Sequence, residues 1–303
     1  MATIRLFLLP NIMKLDDRLY QDIAGLQSNN EISAAIELSA IIKPQDAESE
    51  SHRFSTRGVP HYYYGKREKA TVVVNLNPGK AAKIADKEFE NAPEEYKRQP
   101  TDLFIENYHK EQRTYVLKIE NADSFDVKQA AFLTPWEDNG IDLPQNPDWD
   151  DKETRTVAAK RVIDNKLQLE LVPYASAKFD FSSRCVELLF PYVDTILDEI
   201  FAQERKYIIF ASSKFEHIFK HYNKVHPNTF DFSRPIKQSD STLKEGGSLY
   251  GQCRVIFINY NGETRPALIA HTFPSQALGR AYKLMQKYGK FCFDEYIKTI
   301  LKQ

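Results

Sequence analysis

Apolar positions recur along the chain in two rhythms. Thr71-Val72-Val73-Val74 is a compact β-branched run without alternation, the pattern of a strand buried on both faces, as in a parallel sheet. Leu167 to Val172, Tyr207 to Phe210 and Arg254 to Ile258 predict three further strands, and Leu268-Ile269-Ala270 runs into His271. Helical segments fall between these runs: about Val186 to Ala202, a helix through His221, about Gln276 to Lys287, and a closing helix over Phe293 to Leu301. The apolar start, Ile4 to Leu9, reads as a first strand. It is too short for a signal sequence or a membrane span.

Strand, loop and helix alternate, which predicts an α/β fold with a mostly parallel central sheet flanked by helices. Residues 1–65 read as an N-terminal extension packed on the core, and residues 66–303 as the main α/β domain. In the extension, Ile32, Ala35, Ile36, Leu38 and Ile41 share one face of a helix or a strand-like run stopped by Pro44. Residues 135–153 hold three prolines, two tryptophans and seven Asp or Glu. This acidic insertion reads as a loop, with a lid over a pocket as the sharper alternative.

Composition narrows the function classes. The net charge is −1 and the pI about 6.7, so there is no strongly basic field for coating nucleic acid. The three cysteines, Cys185, Cys253 and Cys292, are far apart and form no C-x-x-C pair. They read as reduced thiols of a cytoplasmic protein, with neither a disulfide framework nor a metal or iron-sulfur site. Neither a Walker loop, a G-x-G-x-x-G nor a G-x-S-x-G motif is present. His217 and His221 lie at i and i+4 without the pattern of a zinc helix, and read as surface residues.

In such sheets ligands sit beyond the carboxyl ends of the strands. Residues 75–79, 170–179, 211–213 and 271–276 all fall there. In Asn75-Leu76-Asn77-Pro78-Gly79, Pro78 restricts Asn77 toward extended backbone and Gly79 permits an unusual one. The turn would hold the Asn77 amide rigidly, its oxygen free to orient a water; an ordinary Asn-Pro-Gly turn is the alternative. His271-Thr272-Phe273-Pro274-Ser275-Gln276 puts an imidazole on the same rim.

Together these two segments resemble the first and second motifs of the uracil-DNA glycosylase superfamily, in its Asn-Pro-Gly branch. The resemblance implies a uracil-DNA glycosylase-like three-layer sandwich, a monofunctional glycosylase without cofactor or metal, and DNA as partner. It implies that Asn77 positions the attacking water and that His271 stabilises the departing base anion. It implies that Phe273, Pro274, Ser275 and Gln276 enter the minor groove. The family's wedge is a leucine; that place falls on Ser275 here, so Phe273 and then Gln276 are the candidates. The family reads uracil with an asparagine at the end of its second strand, where this chain has Glu170. An ionised carboxylate only accepts hydrogen bonds, so it rejects the uracil O4 and suits the amine of a cytosine-type base. A surface or salt-bridged glutamate is the alternative.

Asn75, Tyr174 and Phe179 join Glu170 as base-recognition candidates, with the two rings placed to stack. Tyr62-Tyr63-Tyr64 and Phe132 to Trp136 are rival sources of a ring. Ser212 and Ser213 are candidates for a DNA phosphate, with helix capping as the plainer role. Anti-phage glycosylases that remove glucosylated hydroxymethylcytosine resemble the same superfamily and are compatible with these departures. A non-catalytic nucleic-acid-binding protein is the rival class.

Overall fold

The computed structural model describes residues 13–117, 124–144, 146–239, 251–271 and 281–301. The strand expected near the start lies outside them. The strands are β1 (Tyr63–Gly65), β2 (Thr71–Asn75), β3 (Leu167–Glu170), β4 (Tyr207–Phe210), β5 (Phe230–Asp231), β6 (Lys237–Gln238), β7 (Gln252–Tyr260) and β8 (Glu263–Ala270). They form one sheet in the order β1-β3-β2-β4-β8-β7-β5, with β6 also paired to β7.

The middle of the sheet, β3-β2-β4-β8, is parallel. Both flanks are antiparallel. The expectation of a mostly parallel sheet is therefore corrected to a mixed one. The reason is local. β7 and β8 are joined by Asn261-Gly262, both at positive φ, the two-residue turn that folds a chain straight back on itself.

Helices cover both faces. On one face lie α1 (Leu15–Asn29), α2 (Ser33–Leu38), α3 (Ala82–Glu90), the short α4 (Glu94–Lys97), α5 (Thr101–Leu117), α8 (Phe190–Phe201) and α9 (Lys214–Val225). Leu19, Ile23, Phe104, Ile196 and Phe219 from this layer pack in one core with Val72, Val74, Leu169 and Ile269. On the other face α6 (Ser124–Leu133), α7 (Lys152–Asn165) and α10 (Tyr282–Ile300) pack against Val73, Ile209, Val255 and Leu268. Alternation along each strand makes this division. β2 is buried along its whole length, as its unalternating valines predict.

Two expected helices near the C-terminus are one continuous α10. Gly289 lies inside it because a side chain there would meet the Phe132 carbonyl of α6 at 2.0 Å. The residues α1 and α2 bury sit in the same core as the strands. Ile36 is the exception, facing solvent at 47% exposure.

The described residues of 135–153 form a loop as far as the start of α7, as expected, and its first half does not take the lid position of the alternative reading. Its first half lies at the amino edge of the sheet, opposite the candidate site. Thr71, the first residue of β2, donates to the Asn139 carbonyl at 2.6 Å, and the Tyr207 hydroxyl donates to the Glu137 carbonyl at 2.6 Å. Trp136 and Trp149 are both buried in the core. Two large apolar rings anchor the segment despite its acidic surface.

Candidate functional site at the carboxyl edge of the sheet

The parallel register sets Asn75 of β2 beside Glu170 of β3. Alternation turns both, with Gln168, toward the α6 side of the sheet. The Asn75 amide donates to Glu170 Oε1 at 3.1 Å, and the Gln168 amide donates to the same oxygen at 2.7 Å. Gln168 Oε1 accepts from Lys166 Nζ at 2.5 Å and from the Gln129 amide at 3.2 Å. Lys166 also donates to Gln129 Oε1. An ammonium only donates and a carboxylate only accepts. The lysine at one end and the glutamate at the other therefore fix the direction of every amide between them.

Glu170 is 4% exposed. Its Oε2 is buried and has no hydrogen-bond partner among the described residues. Burial pushes its carboxyl up to about 7, against the opposing pull of Asn75, Gln168 and Lys166. Burial likewise brings Lys166 down to about 8, with Asp126 and Glu170 opposing. A buried polar atom left unpaired costs about 1–3 kcal/mol.

The turn after β2 is strapped to the segment after β3. Leu171 N–H bonds the Asn75 carbonyl at 2.9 Å, Val172 N–H the Leu76 carbonyl at 2.8 Å, and Ser176 N–H the Pro78 carbonyl at 3.1 Å. The Asn77 amide nitrogen donates to the carbonyls of Pro78 at 3.1 Å and Ser176 at 3.0 Å. Two carbonyl acceptors demand the nitrogen there, which turns Oδ1 the other way. Gly79 makes no use of glycine's freedom: it has no positive φ, and a side chain there would meet nothing within 4 Å. That expectation is corrected, since Pro78 and the Asn77 bonds are enough to shape the turn.

A cluster the sequence did not announce flanks this turn. His61 N–H bonds the Pro173 carbonyl at 2.8 Å. Its Nδ1 lies 2.6 Å from the Tyr64 hydroxyl and 2.5 Å from that of Tyr108. Burial, then Lys80 and His109, hold the His61 imidazole down to about 3. Burial and then Glu170 raise the Tyr64 phenol far above its usual range. Tyr64 is the member of the rival tyrosine run whose phenol feels the Glu170 charge, while the Tyr62 carbonyl accepts from the Glu170 N–H at 3.1 Å. His61 and Tyr64 are three positions apart, but Tyr108 lies 47 positions from His61, and no spacing signal in the sequence joins it to them.

Other candidates lie elsewhere. Tyr174 is corrected from a stacking ring to a core residue. It is 1% exposed, and its hydroxyl meets Asp22 at 2.9 Å and Tyr192 at 3.2 Å. The same holds for Tyr62, whose hydroxyl also binds Asp22, and for Phe132 and Trp136 on the opposite face. Phe179 packs against Phe54 and Phe181 at the margin of the core. Ser212 Oγ accepts from Lys214 N–H at 3.2 Å, the capping role, while Ser213 makes no side-chain cap bond. Lys214 is engaged by Asp180 and the Phe179 carbonyl. The rings of His217 and His221 lie against each other along α9, tilted by 45° with centroids 4.4 Å apart, and no cluster able to hold a metal occurs among the described residues.

His271 occupies the same edge, two strands from Asn77, a spacing of about 10 Å. Alternation turns it to the other face, toward α9. Nδ1 lies 3.2 Å from Gln252 Oε1. Gln252 is oriented by its own donation to Gln238 Oε1, so His271 Nδ1 is the donor. Nε2 lies 3.5 Å from Glu216 Oε2. Burial holds the imidazole below its usual value, Glu216 pulls it up, and Arg254 lowers it. Among the described residues no hydrogen bond joins Asn77 and His271. Phe273, Pro274, Ser275 and Gln276 fall outside the described residues.

No family model, curated protein or solved structure matches the chain. Among the described residues no helix is long and apolar enough to cross a membrane.

Proposed function

We propose that the chain is a monofunctional DNA glycosylase that hydrolyses the N-glycosidic bond of a flipped-out, cytosine-type base. One observation carries the reading. Glu170 presents an unpartnered, buried oxygen at a strand end, one strand from an amide whose oxygen is turned away from its own two bonds. The first group suits a base edge, the second a water.

Extruding the base costs a few kcal/mol. The amine of the base then donates to Glu170 Oε2. A water held by Asn77 Oδ1 attacks C1′, the C1′–N bond breaks, and the base departs with the electron pair. The water's proton passes through solvent to the departing base anion, leaving a neutral free base and an abasic site. Positive charge develops on the sugar and negative charge on the base, so fixed donors at the base oxygen supply most of the acceleration. His271, turned to the opposite face with its imidazole held below its usual value by burial, is assigned no part in this step.

The test uses labelled duplexes carrying uracil, hydroxymethylcytosine or its glucosylated form, with alkali revealing abasic sites. Alkali-dependent breaks at a cytosine-type base, reduced about 100-fold or more in Asn77→Ala, are expected. A folded protein that leaves no abasic site in any duplex refutes the proposal. The engagement of His271 by Gln252 and Glu216 favours a second reading, a nucleic-acid-binding protein without catalysis. That reading predicts duplex binding with Asn77→Ala behaving as the parent.

A further inference from the structure

We propose that Glu170 is a two-state reader: ionised, its Oε2 accepts from the amine of a cytosine-type base, and protonated, the same oxygen donates to the carbonyl of a uracil-type base. The inference rests on the glycosylase reading and adds what sets its substrate class.

The geometry separates the two carboxylate oxygens. Oε1 already accepts from Asn75 and Gln168, so a proton on that side would collide with two N–H groups. Any proton resides on Oε2, the atom without a partner. A fixed amide donates and accepts through different atoms. A carboxyl held in this way reverses the sense of one and the same atom.

The surroundings keep both states within reach. From β1, Tyr64 faces the carboxyl with a phenol that stays neutral. From β2 comes the Asn75 amide. From β3 come Gln168 and, through it, the Lys166 ammonium. From α6 come Gln129 and Asp126, which acts on both Lys166 and Tyr64. Burial favours the protonated form and the lysine-amide chain favours the ionised one, leaving a transition near neutrality. Lys166 is a positioning residue here. It touches no base, but it aligns the amides and supplies the positive end.

The experiment measures kcat/KM on duplexes of identical sequence carrying either a cytosine-type base or uracil, from pH 5.5 to 8.5. The ratio of the two is expected to rise at least tenfold toward the cytosine-type base with increasing pH. In Glu170→Gln the ratio is expected to be flat. In Lys166→Met the rise is expected to move to higher pH. If that variant does not fold, infrared titration of the parent protein decides. A protonated-carboxyl band absent from Glu170→Gln should vanish across the same pH interval. A ratio that is flat in the parent, or that keeps its pH dependence in Glu170→Gln, overturns the two-state reader and leaves the glycosylase reading standing. No abasic site from either base overturns both.

Discussion

Replacing Asn77 by Asp tests which atom of that side chain faces the site. The amide nitrogen makes two hydrogen bonds, to the carbonyls of Pro78 and Ser176 at 3.1 and 3.0 Å. A carboxylate oxygen in its place makes neither and faces two acceptors. Each lost bond is worth about 1 kcal/mol net, and leaving acceptors unpaired adds about 1–3 kcal/mol. Asn77 is half-buried, so solvent screens part of the repulsion, and the total at pH 8 is about 2–4 kcal/mol. Asn77→Ala loses the bonds without the repulsion and should cost about 1–2 kcal/mol.

The deficit depends on pH with a defined sign. Two facing carbonyls favour the protonated acid, which can donate to one of them. The folded variant's carboxyl is therefore raised above its unfolded value of about 3.9. Below that value the proton is present in both states and the deficit is smallest. It grows as pH rises through the folded carboxyl's titration. Urea denaturation of the parent and both variants at pH 5 and pH 8 reads this directly. Asn77→Asp as stable as Asn77→Ala at pH 8, or showing no excess loss between the two pH values, refutes the assigned amide direction. The water-positioning role of Oδ1 would fall with it.

Gly289→Ala should be severely destabilising, because the new carbon would lie 2.0 Å from the Phe132 carbonyl oxygen and α6 and α10 would have to part. A loss of about 3 kcal/mol lowers the melting temperature by several degrees; unchanged melting contradicts the packing. Asp22 is buried between Tyr62 and Tyr174, and burial raises its carboxyl to about 6. The folded protein then holds a proton that the unfolded chain releases, so stability falls as pH rises from about 3.9 to about 6. Relative to Asp22→Asn the parent should lose at most about 3 kcal/mol across that window, and parallel stability-pH curves would rule this out. Glu216 pulls the His271 imidazole upward against burial, so Glu216→Gln should lower its titration midpoint by NMR, and an upward shift would show that another group sets it.

Much of the architecture was legible because it depends on local chemistry. Valines without alternation mark β2, and Lys214 to His221 reads as helical from its own periodicity. Asn261-Gly262 is the local signal for the β7–β8 hairpin, and the antiparallel flank of the sheet follows from it rather than from the alternation of strands and helices. The acidic insertion is a loop, as its composition predicts, but composition does not say where that loop lies. Its charge and prolines describe its surface, while Trp136 and Trp149 decide where it lies. Tyr174 shows the limit of residue type: a ring at a strand end can stack on a ligand or fill a core. The groups its hydroxyl meets are the Asp22 carboxylate and the Tyr192 hydroxyl, 152 and 18 positions away.

By itself the chain determined which segments become strands, where the turn at Asn77-Pro78 falls, and that a carboxylate stands at position 170. These follow from side-chain periodicity and backbone restriction within a few residues. Only the folded sheet decided that Glu170 meets Asn75, 95 positions away, and that Lys166 closes the chain of amides behind it. It alone decided that His271 turns to the opposite face. Parallel register and strand alternation make those choices. Both are properties of paired strands, and a single strand has neither a partner nor a buried side until the sheet is built.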